Sequence, residues 1–405
     1  MRPDVRRFAI LRRVRVLAAI LAIALALASY LELAWPPFYA FPPEQSFRGE
    51  QWYQPYAGYR GGGLLANFHA HADPWGGLTF GQVSRAELFS LYAARGYDVI
   101  GISDYMSIAP AQPGNAVYLS AYEHGYTIGR HHQTVIGADR VDWFDYPLGG
   151  SVRQKQNVID VLRQSADFLV LNHLRKADSY TLEDLTQLTG YDALEIATKY
   201  GVSAEYWDAA LSAGRPVWGM ASDDGHTQLT RKSHIGIGAV LIHSDARTPE
   251  AALRALREGR FHSLFTRENE APIALLRCEI EGGELSVEVG DRADAIRFLS
   301  ARGALRHEVR GQAEARYRLA PDDPYVRVEV LAHGAVLYLN PVFRWDGRAL
   351  PALRAELRPI PTWSARAFGA LVLVLVARFS VRLARSGRGR AHSPSHAPAT
   401  RAAPQ

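Results

Sequence analysis

The sequence predicts an α/β protein: a parallel sheet built from βα units, then a small antiparallel β sandwich, with membrane helices at the flanks. Three observations predict it. Short apolar runs alternate with helical patterns between residues 64 and 262, as in a sheet with helical crossovers. From 272 to 345 apolar and polar residues alternate between turns, the pattern of half-buried strands in a sandwich. Two apolar stretches, one towards each end, lie beside arginine-rich sequence. At 405 residues and 48 % hydrophobic, the chain can fill a barrel-sized core and a smaller module.

The first apolar stretch is "VLAAILAIALALASYLELAW", residues 16–35, broken by Ser29 and Glu32. It is long enough to cross a bilayer as a helix. Six arginines and one aspartate in residues 1–15 predict a cytoplasmic N-terminus. Trp35, Phe38 and Tyr39 follow like an interfacial belt. Ala26-Leu27-Ala28 also fits a signal-peptidase site. Residues 1–35 therefore read as an uncleaved anchor first and a cleaved signal second, and in both cases the body is exported to the periplasmic side of the inner membrane. Residues 36–63 read as a linker.

The second stretch lies within "FGALVLVLVARFSVRLARSGRGR" and predicts a helix over 363–385. It either spans or lies along the surface, with Arg378, Arg382 and Arg385 snorkelling. Residues 386–405 have a disordered composition. Residues 363–405 carry seven arginines and no acid, so the net +5 of the chain hides a body of about −7. A folded body of that sign argues against nucleic-acid binding. The expected partners are the membrane and a small-molecule or envelope-associated substrate. The single cysteine, Cys278, excludes an intramolecular disulfide and sits in a core strand pattern.

Seven runs in residues 64–268 predict strands: "LLANFHA", "YDVIGISD", "HQTVIGAD", "DFLVLNH", "DALEIA", "RPVWGMAS" and "GAVLIH". Helices are expected at "SRAELFSLYAAR", "VRQKQNVIDVLRQ", "SAEYWDAALSA" and "TPEAALRALRE". The last opens Thr248-Pro249-Glu250, a cap followed by proline in the first turn. Beyond it, "IALLRCEI", "ELSVEV", "AIRFLS", "EARYRL", "YVRVEVL" and "AVLYLNPVF" predict the sandwich strands over 269–350. Because the connection is short, the sandwich is expected to brace the first module, with Tyr325 and Tyr338 in its core.

In "NFHAHADPWGG", strand alternation puts His69, His71 and Asp73 on one face. Imidazole and carboxylate together suit zinc, manganese or iron. Taken alone the motif fits equally a polar strand end with backbone-bonded histidines. The other strand ends repeat the chemistry: Asp104, Asp139, His173, then Asp223 and Asp224 with His226, then His243. Strand ends converge on one face of a barrel, where sites are built, and packing alone does not explain so many histidines and aspartates there. "YEHGY", with Glu123 and His124, and "RHHQ", with His131 and His132, either add ligands or are solvated loops.

"FHAH", "GYDVIGISDY", the Asn-His of "LVLNHL" and "ASDDGH" resemble, in order, the motifs of the PHP superfamily, the polymerase and histidinol phosphatase domains. The resemblance covers residues 64–265. It implies a distorted seven-stranded βα barrel with a cluster of two or three divalent ions that hydrolyses phosphoesters. A branch with an appended C-terminal β domain includes carbamate and ester hydrolases. The sequence departs from the family pattern at Tyr105, where histidine is usual, and at Trp75-Gly76-Gly77. No histidine lies between His132 and His173. These departures favour two ions.

The roles implied are metal binding by His69, His71, His124, Asp139, His173, Asp224 and His226, with Asp139 bridging two ions. His132 or His226 would act on phosphate or the leaving group, and Asp104 would orient a ligand. Glu195 is expected to be bonded in the core. Lys199 could be a carbamylated bridge, as in amidohydrolases. Nucleophile elbows, phosphate-binding P-loops and zinc-type cysteine pairs are absent. The function expected is a membrane-anchored metal-dependent phosphoesterase. An ester or carbamate hydrolase on the same site is the first alternative, and a non-catalytic binding protein with a depleted site the second.

Overall fold

The computed structural model describes residues 3–386 apart from Gly77, Phe80, Ala116 and the segments 227–233 and 267–272. The expected disordered tail therefore lies outside the described residues. Two compact units result: Tyr39–Glu356, and Met1–Phe38 with Leu357–Gln405. The second begins with helix α1 (Pro3–Ser29), which continues as a π-turn over Tyr30–Ala34.

The large unit opens with β1 (Tyr39–Ala40) and β2 (Gln51–Tyr53). The stretch expected as a linker is instead packed, because Phe47, Tyr56 and Tyr59 are buried in its cores. Next come β3 (Leu64–Asn67), β4 (Ala70–His71), α2 (Arg85–Ala93), β5 (Val99–Ile100), β6 (Ala121–His124) and β7 (Gln133–Ile136). Then follow α3 (Val152–Leu162), β8 (Phe168–Leu171), α4 (Leu182–Gln187), β9 (Ala193–Thr198), β10 (Gly201–Val202) and α5 (Ala204–Ser212). The half ends with β11 (Trp218–Ala221), β12 (Gly225–His226), β13 (Gly238–Ile242), α6 (Pro249–Arg257) and β14 (Phe261–Thr266). The four expected helices form where their start signals lie. These are α2, α3, α5 and α6: Ser84 and Ser151 close capping boxes on α2 and α3, Thr248 caps α6 ahead of Pro249, and Ser203 at the start of α5 makes no capping bond. α4, boxed by Thr181, is an additional helix.

The seven expected strands all form, but they do not make one parallel sheet. In one sheet β8 and β11 run parallel to β9, while β7 is antiparallel to β8 and β6 antiparallel to β7. In the other, β3 pairs β5 in parallel and β13 antiparallel. The cause at β6 and β7 is chain length. Residues 125–132 are too few for a crossover, which takes a dozen or more, so the two strands form a hairpin. β6 itself, "AYEH", was not among the expected strands. Short parallel contacts join the ends: β4 with β12, and a bridge between Tyr105 and Glu123.

The C-terminal strands are β15 (Leu275–Glu281), β16 (Glu284–Ala293), β17 (Ala295–Ser300), β18 (Ala304–Val309), β19 (Gln312–Arg318), β20 (Tyr325–Ala332) and β21 (Ala335–Trp345). β15, β16 and β19 form their own sheet. The others extend the β13–β14 sheet, through β21 pairing β14. Cys278, Val287, Phe298, Val328 and Leu337 share a buried cluster between them. Two polar ties fasten these strands to the helices and strands before them. Arg327 makes a bidentate pair with Asp208 on α5, Nη2–Oδ2 2.7 Å and Nε–Oδ1 2.8 Å, both buried. Asn340 Oδ1 accepts from Gly219 N at 2.9 Å while its Nδ2 donates to Gly259 O and Phe261 O. Tyr325 and Tyr338 are buried.

The last described element is α7 (Pro359–Arg385). Ile10–Ala34, in α1 and its π-turn, and α7 are both long and apolar enough to cross a membrane, and the side chains of these two segments are largely exposed. They form an antiparallel pair: Phe38 N donates to Thr362 Oγ1 at 2.9 Å, and Arg358 N donates to Phe38 O. Gly369 permits the close approach, since a Cβ there would lie 2.6 Å from Ala34 Cβ. The Arg366 guanidinium lies over Trp35 and Trp363, 4.5 and 5.0 Å from the ring centroids.

Candidate metal centre

Five imidazoles surround two buried carboxylates. Glu123 Oε1 lies 3.2 Å from His69 Nε2, 3.0 Å from His132 Nδ1 and 3.2 Å from His173 Nε2; its Oε2 lies 3.2 Å from His71 Nε2. Asp224 Oδ1 lies 3.6, 3.4 and 3.2 Å from Nε2 of His69, His71 and His226. The parallel contact of β4 with β12 sets His71 beside His226, rings stacked at 4.5 Å. His173 and Asp224 both have positive φ, 29° and 43°, a strained backbone that concentrates at functional sites. Gly125 makes room for the His132 ring, because a Cβ there would lie 2.6 Å from His132 Cδ2.

Glu195 supports the cluster from behind. Its Oε1 meets His69 Nδ1 at 2.7 Å and accepts from Ser222 Oγ, and its Oε2 accepts from His173 N at 2.6 Å. A carboxylate on Nδ1 turns Nε2 of His69 towards Glu123 and Asp224, as outer-sphere acids do for metal-ligating histidines. Asn172 Nδ2 donates to Glu123 Oε1 at 3.1 Å. Burial by itself would raise both central carboxyls. The facing groups win, His69 and His132 at Glu123 and His69, His226, His71 and Lys199 at Asp224, and hold both well below the usual range.

Divalent ions fit this donor set. His69 Nε2, His71 Nδ1 and Nε2, His173 Nδ1, Glu123 Oε2 and Asp224 Oδ1 are buried without a hydrogen-bond partner. An unsatisfied buried polar group costs about 1–3 kcal/mol, and a cation that takes one lone pair from each ring and from each carboxylate relieves that cost. Donor atoms within 4.8 Å of one another fall into four groups: His69, His173 and Asp224; His69, His71 and Glu123; His71, Asp224 and His226; and Glu123, His132 and His173.

The structure brings together His69, His71, His132, His173, Asp224 and His226. It corrects four other expectations. Asp139 is exposed, beside Arg140 at 3.8 Å, so it bridges nothing. Because β7 is antiparallel to β8, its start, His132, reaches the site and its end points away. His243 misses the cluster for the same reason, since β13 is antiparallel to β3. It bonds His262 instead, Nε2 to Nδ1 at 2.9 Å, and stacks on Tyr59. His124 faces away from its neighbour Glu123, as alternation requires, and both its ring nitrogens are engaged, by Gln133 and Phe144 O. Asp104 touches no ligand ring; it accepts from Ala72 N and Arg85 Nε, both at 2.7 Å, and so holds the backbone beside His71.

Asp73 is likewise outside the cluster groups. Tyr105 stacks on His71 at 4.5 Å and 8° and meets His132 edge-on. Glu123 is the central carboxylate of the cluster that sequence reasoning passed over in favour of His124. The signal for it was period-2 alternation in "AYEH", had that run been read as a strand.

Among family models and curated proteins, none matches this chain. Among solved structures, it is similar to a crystal structure of a two-domain protein containing a predicted PHP-like metal-dependent phosphoesterase from Bacteroides vulgatus ATCC 8482. The TM-score is 0.40 and the identity 11 %, over 79 % of this chain and 99 % of that one.

Two outcomes are expected. Glu195→Gln should weaken metal affinity about 10–100-fold, the usual cost of losing such a partner, while Asp139→Asn leaves metal content unchanged by elemental analysis. Metal loss in Asp139→Asn alone would reverse the assignment. The second concerns the His243–His262 pair. Burial first, then His262 and Arg260, pushes His243 down to about 2, and burial pushes His262 down to about 3. Below about 6.5, the free-imidazole value, the unfolded chain binds protons that the folded chain refuses. Stability should therefore be full above that pH and fall as pH drops from there towards 3. His262→Gln should flatten the slope in denaturant titrations from pH 7.5 to 5; an unchanged slope would exclude the pair as its source.

Proposed function

We propose that this protein is a membrane-anchored metal-dependent phosphoesterase whose body lies outside the cytoplasm. The observation that supports it most is the cage of five imidazoles about Glu123 and Asp224. His69, His71 and His173 hold two divalent ions, zinc, manganese or iron, together with His132 and His226. Glu123 and Asp224 each belong to two of the four donor groups and serve as the shared carboxylates. Such ions supply Lewis acidity towards an ester oxygen and lower the pKa of water. The protein holds the His69 ring through Glu195 and covers the His71 ring with Tyr105. It leaves His226, partly exposed, at the open edge.

Elemental analysis of the full chain in detergent should find about two ions per molecule, the number a shared-carboxylate site takes. The metal-loaded protein should release phosphate or alcohol from an aryl phosphoester, and Glu123→Gln should abolish both metal and turnover. Metal binding with no turnover across phosphoesters, carboxylic esters and carbamates would leave a binding protein.

Anchoring is supported by the two apolar helices and by the arginines before the first. A periplasm-only reporter fused after Pro361 should be active. Activity of a cytoplasm-only reporter at the same junction would invert the topology.

A further inference from the structure

Two lysines stand at the edge of the metal cluster, and the expected roles do not use them together. Lys176 lies in the 3₁₀ turn after β8, and Lys199 directly after β9. Lys176 Nζ is 3.5 Å from Asp224 Oδ2, and Lys199 Nζ is 3.4 Å from Asp224 Oδ1 and donates to Asp224 O. The side chains are 12 % and 11 % exposed. Both ammonium groups also face the half-exposed ring of Tyr200, 4.3 and 5.1 Å from its centroid. That ring meets His173 edge-on at 5.9 Å. Lysines and tyrosine thus form one wall, open to solvent on one side and touching the cluster on the other.

Among the described residues, Asp224 is the carboxylate that faces both lysines. It is also a shared ligand in the reading above. Once its charge is spent on divalent ions, the two ammonium groups are left nearly buried with no anion opposite them. Burying uncompensated charge is costly. The wider balance has the same sign, because two divalent ions outweigh Glu123, Asp224 and Glu195 together. What completes the site is an anion of more than one charge, small enough to touch both lysines and the metals. Ammonium groups bind phosphate oxygens as point charges with three donors each.

We infer that Lys176 and Lys199 clamp a dianionic phosphoryl group, so that the substrate class is the phosphomonoester. This rests on the metal-centre reading above. A phosphodiester offers one charge, and a carboxylic ester or carbamate none, so neither satisfies both lysines. Lys199 serves in the clamp as an unmodified ammonium group beside Asp224, not as a carbamylated bridge.

The test uses full-length, metal-loaded protein and its Lys176→Met and Lys199→Met variants, with equal metal content checked by elemental analysis. Inorganic phosphate binding is measured by calorimetry. Turnover is compared on 4-nitrophenyl phosphate, bis(4-nitrophenyl) phosphate and 4-nitrophenyl acetate. Wild type should prefer the monoester. Each variant should weaken phosphate binding and raise monoester KM by about tenfold or more, the weight of a charge-assisted hydrogen bond, and so erode the preference over the diester. Lys199→Arg should recover part of the loss. If Lys199→Met fails to fold, Lys176→Met alone decides. Unchanged phosphate affinity in the variants, or a wild type that prefers diester or acetate, overturns the clamp while the hydrolase reading stands. Phosphate binding that weakens in the variants, with every substrate inert, upholds the clamp and overturns the hydrolase reading instead.

Discussion

Everything near the centre follows from placing two carboxylates, Glu123 and Asp224, out of contact with water. Buried charge is costly unless opposite charge and hydrogen bonds surround it. The chain meets that constraint with imidazoles drawn from β4, β12 and the ends of β7 and β8, so no single element contains the site. Strands from two sheets must therefore end at one point. The irregular backbone at His173 and Asp224, the short β4–β12 contact and the Tyr105–Glu123 bridge all sit where those ends converge. Glu195 adds a second layer, gripping a ring nitrogen of His69 and the backbone of His173 with one carboxylate.

The C-terminal strands belong to this rigidity. β21 pairs β14, β14 pairs β13, and β13 pairs β3, which leads into His69. Asn340 and the Arg327–Asp208 pair add polar contacts that have no solvent alternative once buried. A site built from convergent strand ends is only as well ordered as the sheets carrying them, and these strands continue the sheet that leads into His69.

Tyr105 gives the site its own character. Its ring lies flat on His71 and edge-on to His132. The side chain packs and shields but brings no strong metal donor in its protonated form, and burial pushes its hydroxyl pKa up further. The edge with Lys176, Lys199 and Tyr200 is polar. The two sides thus differ in chemistry: an aromatic wall against the histidines and a cationic one towards solvent.

The sequence by itself determined the elements and the chemistry. The strand runs, the capped helices, the apolar flanking helices and the pairing of His69 with His71 follow from local rules of periodicity, capping and alternation. His173, Asp224 and His226 were legible because they end strands that run parallel to a neighbour at the site. Only the tertiary structure decided which strands run the other way. A hairpin at residues 125–132 reverses β7, bringing His132 in and turning Asp139 out; the antiparallel pairing of β13 does the same to His243. Alternation then chose Glu123 over His124. Strand direction is set by how sheets close and by the length of connections, and those are properties of the folded chain that no single motif records.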